Sequence, residues 1–365
     1  MMQVVHSRFN ALLSACVLSL IATASWSQSI TWLGTLPGYD RSGAYGVSDN
    51  GVVVGLAQND AGYWRAFRWE NGVMRDLGTL GGCCSRAYGV SADGSVVVGW
   101  AFNAAGYARA FRWTALGGMQ GLGTLPGGNW SYAFDVSADG AVVVGGAYNA
   151  AGQRRAFRWT AGGGMQDLGT LGGNQSEAYG VSADGAVVVG WSLNATGQRR
   201  AFRWTASGGM QDLGTLGSND NIAFAVSADG TVVVGVALNA AGQGRAFRWT
   251  AAGGMEDLNT TYASLLTNGS VLSEASAISP DGRYIVGYGR NAATNRTEAF
   301  LLDMGPRCTA HNGDVDANGC VDDADLLQVL FAFGGRGYRN EDLNWDGTID
   351  EADLLQVLSH FGSGC

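Results

Sequence analysis

Two stretches near the end of the 365-residue chain carry side chains spaced for metal chemistry. The first runs Asp314-Val-Asp316-Ala-Asn318-Gly319-Cys320-Val-Asp322-Asp323-Ala-Asp325, and the second Asp342-Leu-Asn344-Trp-Asp346-Gly347-Thr348-Ile-Asp350-Glu351-Ala-Asp353. Each puts oxygen side chains at loop positions 1, 3, 5, 9 and 12, with glycine at 6 for a sharp turn. A hard cation such as Ca2+ takes about six to eight oxygen ligands, and this spacing wraps them around one point. The expected side-chain ligands are Asp314, Asp316, Asn318, Asp322 and Asp325, then Asp342, Asn344, Asp346, Asp350 and Asp353, with the carbonyls of Cys320 and Thr348 at position 7. Two Ca2+ ions are expected.

Each loop leads into an apolar-striped segment, ADLLQVLFAFG and ADLLQVLSHFG, that reads as an exit helix. Charge sets this region apart. Met1 to Arg307 holds 20 Arg and 20 acidic residues, whereas Cys308 to Cys365 holds 2 Arg and 11 acidic residues and carries the entire net charge of −9. A separate acidic module over 307–365 follows. The chain is acidic and has no Lys, which makes it a poor candidate for binding nucleic acid or an anionic membrane surface. His311 and His360 read as bystanders to the loops. Position 12 is Asp rather than Glu, and no good helix precedes the first loop. In these features the module resembles the dockerin type I domain. The resemblance implies that the loops bind calcium and that the exit helices bind a cohesin-like or cell-envelope protein. The recognition positions 10 and 11 hold Asp323-Ala324 and Glu351-Ala352, where cellulosomal dockerins often carry Ser or Thr.

The long region before the module is one unit repeated. AFRW begins at Ala66, Ala110, Ala156, Ala201 and Ala246, with a degraded copy, AFLL, at Ala299. VS(A)DG and VVVG recur in step, and LGTL recurs from Leu33, Leu77, Leu122, Leu168 and Leu213. In the third unit, Tyr132–Ser137, Ala141–Ala147, Arg154–Trp159 and Met165–Leu171 read as strands, being rich in Val, Thr and aromatics. ADG, NAAG and AGGG between them are turn chemistry. Four short strands per roughly 45 residues is the signature of a propeller blade. The expected fold is an all-β six-bladed β-propeller over 29–306, followed by a small α-helical, dockerin-like paired EF-loop domain. The sixth unit lacks a following LGTL, so the N-terminal stretch Ile30–Leu36 is expected to close the last blade. Within each blade the Arg of AFRW (Arg68, Arg158, Arg203, Arg248) is expected to pair with the Asp before LGTL (Asp76, Asp167, Asp212, Asp257). Arg112 faces Gly121 instead. In unit six Leu301 and Trp32 stand at the two positions.

The strings LGTLGG, AYGVSADG, VVVG and RAFRW resemble the HAF-type extracellular repeat of bacteria. That resemblance implies an extracellular repeat protein and supplies no reaction. Residues repeated in every blade are structural, since one active site is not copied six times. Function is sought where the pattern breaks: Tyr39-Asp40-Arg41, Cys83-Cys84, Asn129-Trp130 and Asp220-Asn221, all just after LGTL and expected on one rim. A glycan or protein ligand there is the leading expectation. The propeller region has no His and no Lys, which excludes Ser-His-Asp and Cys-His sites. A carbohydrate-active enzyme remains the alternative, resting on Asp40, Asp60, Asp135, Glu177 and Asp220. No catalytic set is assigned.

Residues 1–28 read as a secretory signal, with Arg8 ahead of the apolar run Ala11–Ala24 and small residues after it. Secretion from a bacterium is expected, with no membrane span and no lipid anchor at Cys16. Secretion permits disulfides among Cys83, Cys84, Cys308, Cys320 and Cys365, whose connectivity stays open.

Overall fold

The computed structural model describes residues 31–266, 268–304, 321, 323–333 and 351–362. Two compact units divide the chain, 1–34 and 35–365; in the first, the described residues 31–34 form neither helix nor strand. The signal assigned to 1–28 lies outside the described residues.

Each repeat folds into one antiparallel sheet, because its short β-branched and aromatic runs are joined by turns too tight for anything else. Blade one is Arg41–Val47, Val53–Gln58, Trp64–Glu70 and Val73–Asp76. Blade two is Gly81–Val90, Val96–Asn103, Ala108–Thr114 and Gly118–Gly121. Blade three is Ser131–Val136, Val142–Tyr148, Arg154–Thr160 and Gly164–Asp167. Blades four and five repeat the plan, and blade six has three strands, Val271–Ile278, Tyr284–Asn291 and Arg296–Asp303. The molecule is thus a six-bladed β-propeller. First strands of consecutive blades pack on one another, which makes them the inner strands.

The VVVG strand is buried on both faces. Val142, Val144, Ala156 and Leu168 of blade three pack against Ala178, Val181, Val188 and Phe202 of blade four. The same set recurs at the four other junctions from blade one to blade six. Each buried Phe contributes roughly 1.5–3 kcal/mol of transfer energy. The Gly ending VVVG is dictated by a bulge in the inner strand. That bulge brings the Arg86 carbonyl under Gly99, where a Cβ would lie 1.9 Å from the oxygen.

Two expectations are corrected. LGTL is not a strand: the fourth strand ends at the Asp before it. Asp76, Asp167 and Asp212 accept the N–H of Gly78, Gly169 and Gly214 at 2.8, 2.8 and 2.9 Å. Gly78 then takes φ 80°, and the chain leaves for the next blade. Accordingly, Thr31–Leu36 carry no strand, and Leu36 is buried against Ala57 and Phe67 of blade one. The second correction concerns the ion pairs. Asp167 is registered opposite Phe157, so it shares a face with Arg155 and not with Arg158. The bridges are Arg65–Asp76, Arg155–Asp167, Arg200–Asp212 and Arg245–Asp257, at 3.5, 3.0, 2.9 and 3.7 Å. The AFRW arginines face the next blade instead. Arg68, Arg112 and Arg158 donate from Nε to the carbonyls of Gly94, Gly140 and Gly185 at 3.1, 3.2 and 3.2 Å.

A girdle of backbone bonds runs through the SADG turns: Asp49 donates to Ala92, Ala92 to Ala138, Ala138 to Ala183, Ala183 to Ala228, and Ala228 to Pro280. It stops there, since proline has no N–H. Among the described residues no apolar cluster joins blade six to blade one. Val47 is 67% exposed where its counterpart Val136 is 6%, and Leu301 is 66% exposed.

In the C-terminal module, the helices Asp323–Ala332 and Glu351–His360 are present, and Val321, Val329 and Val357 form a small core with Leu326 and Leu354. The Gly362 N–H ties back to the Val321 carbonyl at 2.7 Å.

Candidate binding rim

The repeat itself separates scaffold from site. Ser85, Ser131 and Ser176 each accept the N–H of the preceding blade's Ala and donate to a Gly carbonyl, and Asn221 substitutes for them in blade five. Asn221 is therefore scaffold. What varies is the inner-strand position just before Ala: Gly43, Arg86, Tyr132, Glu177, Ile222 and Glu274. Sequence reasoning passed over Arg86 and Tyr132, although aligning the repeats on this position would have exposed both.

Around these residues the aromatics gather. Trp64 meets Trp100 edge-on at 6.5 Å, and Trp100 meets Phe102 and Tyr132 at 5.3 and 5.7 Å. Trp130 stacks on Tyr132 at 6.5 Å and takes Tyr107 edge-on at 5.7 Å. The result is an unbroken run of rings over blades one to three, with Trp100 buried, Trp64, Phe102, Trp130 and Tyr132 half-buried, and Tyr107 exposed. Arg86 lies at one end, its guanidinium carbon 4.1 Å from the Trp64 ring and 5.6 Å from Trp100. Arg109 lies at the other, 5.5 Å over Tyr107, and donates to the Asn129 carbonyl. Nearer the axis, Tyr45, Tyr88, Phe134, Tyr179 and Phe224 touch in sequence at 5.4–5.8 Å, one per blade. Ser276 replaces the sixth ring.

The carboxylates sort differently. Glu177 is buried; Arg154 donates to its Oε2 at 2.7 Å and Tyr179 at 3.0 Å, while Oε1 has no partner among the described residues. Burial pushes its carboxyl up, against the pull of Arg154. Gly146 makes the room, since a Cβ there would sit 2.8 Å from Oε1. Asp135 accepts N–H bonds from Val136 and Val181 at 2.8 and 3.0 Å, and burial pushes it up to about 6. Val181 is four residues beyond Glu177 on the same strand, and no hydrogen bond links the Asp135 and Glu177 carboxyls, each of which is held by its own partners. Asp220 is taken by Arg199 at 2.6 Å, and Asp40 accepts the Asp60 N–H at 3.0 Å on an exposed rim. Of the five, the fold brings together only Asp40 and Asp60, with no buried wall around them.

Of the other off-pattern residues, Trp130 belongs to the aromatic run, the Asn129 carbonyl accepts from Arg109 at its end, and Tyr39 packs on blade one. Cys83 and Cys84 are unbonded thiols, the second buried, and its neighbour's thiol pushes Cys83 up. The grooves of 490 and 540 Å³ beside Arg158/Arg203 and Arg203/Arg248 occupy equivalent junctions, which marks them as architecture.

Of the expected calcium ligands, Asp325 is described and is fully buried in the first turn of its exit helix, which suits position 12. Asp353 lies in its helix with its side chain outside the described residues. Asp314, Asp316, Asn318, Cys320, Asp322, Asp342, Asn344, Asp346, Thr348 and Asp350 also lie outside them, as do Cys308, Cys320 and Cys365. Among the described residues no cluster of three His, Cys, Asp or Glu side chains is poised for a metal, and no helix is long and apolar enough to cross a membrane.

No family model and no curated protein matches the chain. Solved structures do, at low identity. TolB from Acinetobacter baumannii is similar at 15% identity and TM-score 0.48, over 69% of this chain and 60% of that one. A prolyl endopeptidase gives 13% identity and TM-score 0.49, over 76% and 43%. AofleA from Arthrobotrys oligospora gives 14% and 0.40, over 74% and 86%. The six antiparallel sheets themselves define the class as a β-propeller.

Proposed function

We propose that the chain is a secreted bacterial binding protein. Its propeller presents the Trp64–Tyr107–Trp130–Tyr132 rim to a glycan or protein, and its acidic module, holding two Ca2+ ions, docks it to a cohesin-like or cell-envelope partner. One observation supports this above others. The repeated polar groups are consumed in holding blades together, while Trp64, Trp130 and Tyr132, which the other blades lack at these positions, collect with Tyr107 on a single rim. Propeller rims bind; this one is equipped for contact rather than for proton transfer.

The test is a panel of immobilised glycans and envelope proteins probed with the full chain, with Tyr107→Ala/Trp130→Ala, and with Leu116→Ala at an exposed turn away from the rim. Binding lost in the double variant and kept in the turn variant supports the reading. Turnover of a panel glycan, abolished by Glu177→Gln, would instead move the assignment to a carbohydrate-active enzyme.

A further inference from the structure

The aromatic rim carries positive charge that no carboxylate among the described residues answers. In blades one, three, four and five, the Arg at the start of RAFRW is bridged to an Asp. In blade two the Asp position is Gly121, and Arg109 has no carboxylate partner among the described residues. Arg86 is more telling. It makes no hydrogen bond to any described residue, its Nε is buried without a partner, and two Trp rings hold its guanidinium in place. At the same position two blades on, Glu177 has its Arg154. A half-buried guanidinium left without an acceptor is costly, and its planar fork matches a carboxylate in two parallel bonds.

We propose that this rim binds an anionic glycan whose sugar rings carry carboxylates, a polyuronate. The proposal rests on the binding-module reading and names its ligand class. The half-buried Trp130 and Tyr132 and the exposed Tyr107 accept the C–H face of a pyranose, and Arg86 and Arg109 at the two ends of the run take carboxylates. The rings form an open track rather than an enclosed pocket, which suits successive residues of a polymer. The cations are clamped over aromatic faces, so little conformational freedom is lost when an anion arrives. Neutral glycans would use the rings and leave both guanidinium groups unanswered.

The experiment follows tryptophan fluorescence and heat of binding of the full chain with short sodium oligouronates, and with the same oligomers after carboxyl reduction. Oligouronates should quench fluorescence and bind, more weakly as salt rises. The reduced oligomers should bind about tenfold or more weakly, the equivalent of one charge-assisted bond pair. Arg86→Gln should lose about tenfold, Arg86→Lys should fall between, and Arg155→Gln on blade three should match the parent. Circular dichroism of each variant separates lost binding from lost folding. Equal affinity for charged and reduced oligomers overturns the anionic assignment and leaves the binding-module reading intact. So does an equal loss in Arg155→Gln. Failure of both oligomer types also overturns the proposal, while the immobilised panel still decides whether the rim binds anything.

Discussion

Asp135 stands where blades one, two and four have Gly46, Gly89 and Gly180. Its two N–H partners are real, but burial outweighs them and raises the carboxyl from an ordinary 3.8 to about 6. The folded protein therefore keeps this proton to a higher pH than the unfolded chain. Stability from the group is fully present below about pH 4, is lost as pH rises through about 6, and is flat above. The whole effect is about 3 kcal/mol. Asp135→Asn abolishes the titration and gives up one of two acceptors, at about 1 kcal/mol. At about pH 4 the variant should be no more stable than the parent; at about pH 7 it should be more stable by about 2 kcal/mol. Urea unfolding at a series of pH values, read by fluorescence and circular dichroism, gives the difference directly. A difference that is flat across that range, or a parent that gains on the variant as pH rises, refutes the reasoning.

Phe157→Ala removes a fully buried ring from the junction of blades two and three and should cost about 3–5 kcal/mol in chemical denaturation. Arg155→Gln breaks a partly exposed bridge and should cost about 1 kcal/mol or less. Asp167→Ala also strips the acceptor from the Gly169 N–H and should cost about 1–2 kcal/mol, with Asp167→Asn recovering most of it. Chelating calcium should melt the C-terminal helices and leave the propeller's melting unchanged; helical ellipticity indifferent to chelator would remove calcium from the account.

The blade count was legible because the repeat writes itself out in AFRW and VVVG, and both phrases coincide with buried strands. LGTL misled because Leu and Thr suit a strand, while the preceding Asp and following Gly decide the turn. The Arg–Asp error came from parity. Two arginines, Arg155 and Arg158, flank Phe157, and only pairing with Asp167 shows which shares its face. The rim was half legible. Trp130 announced itself by breaking the pattern after LGTL, but Arg86 became a candidate only when its Trp neighbours and missing acceptor were seen.

Pro280 closes the account of the girdle. The turns of blades two to five each give and receive a backbone hydrogen bond, and that of blade one gives one from Asp49, so any of these units could be copied in tandem and its neighbours would still be served. The unit bearing Pro280 receives and cannot give. Duplicating it inside the array would cut the girdle in two. Gene duplication could lengthen this propeller anywhere upstream, and the proline marks the one repeat that has to come last.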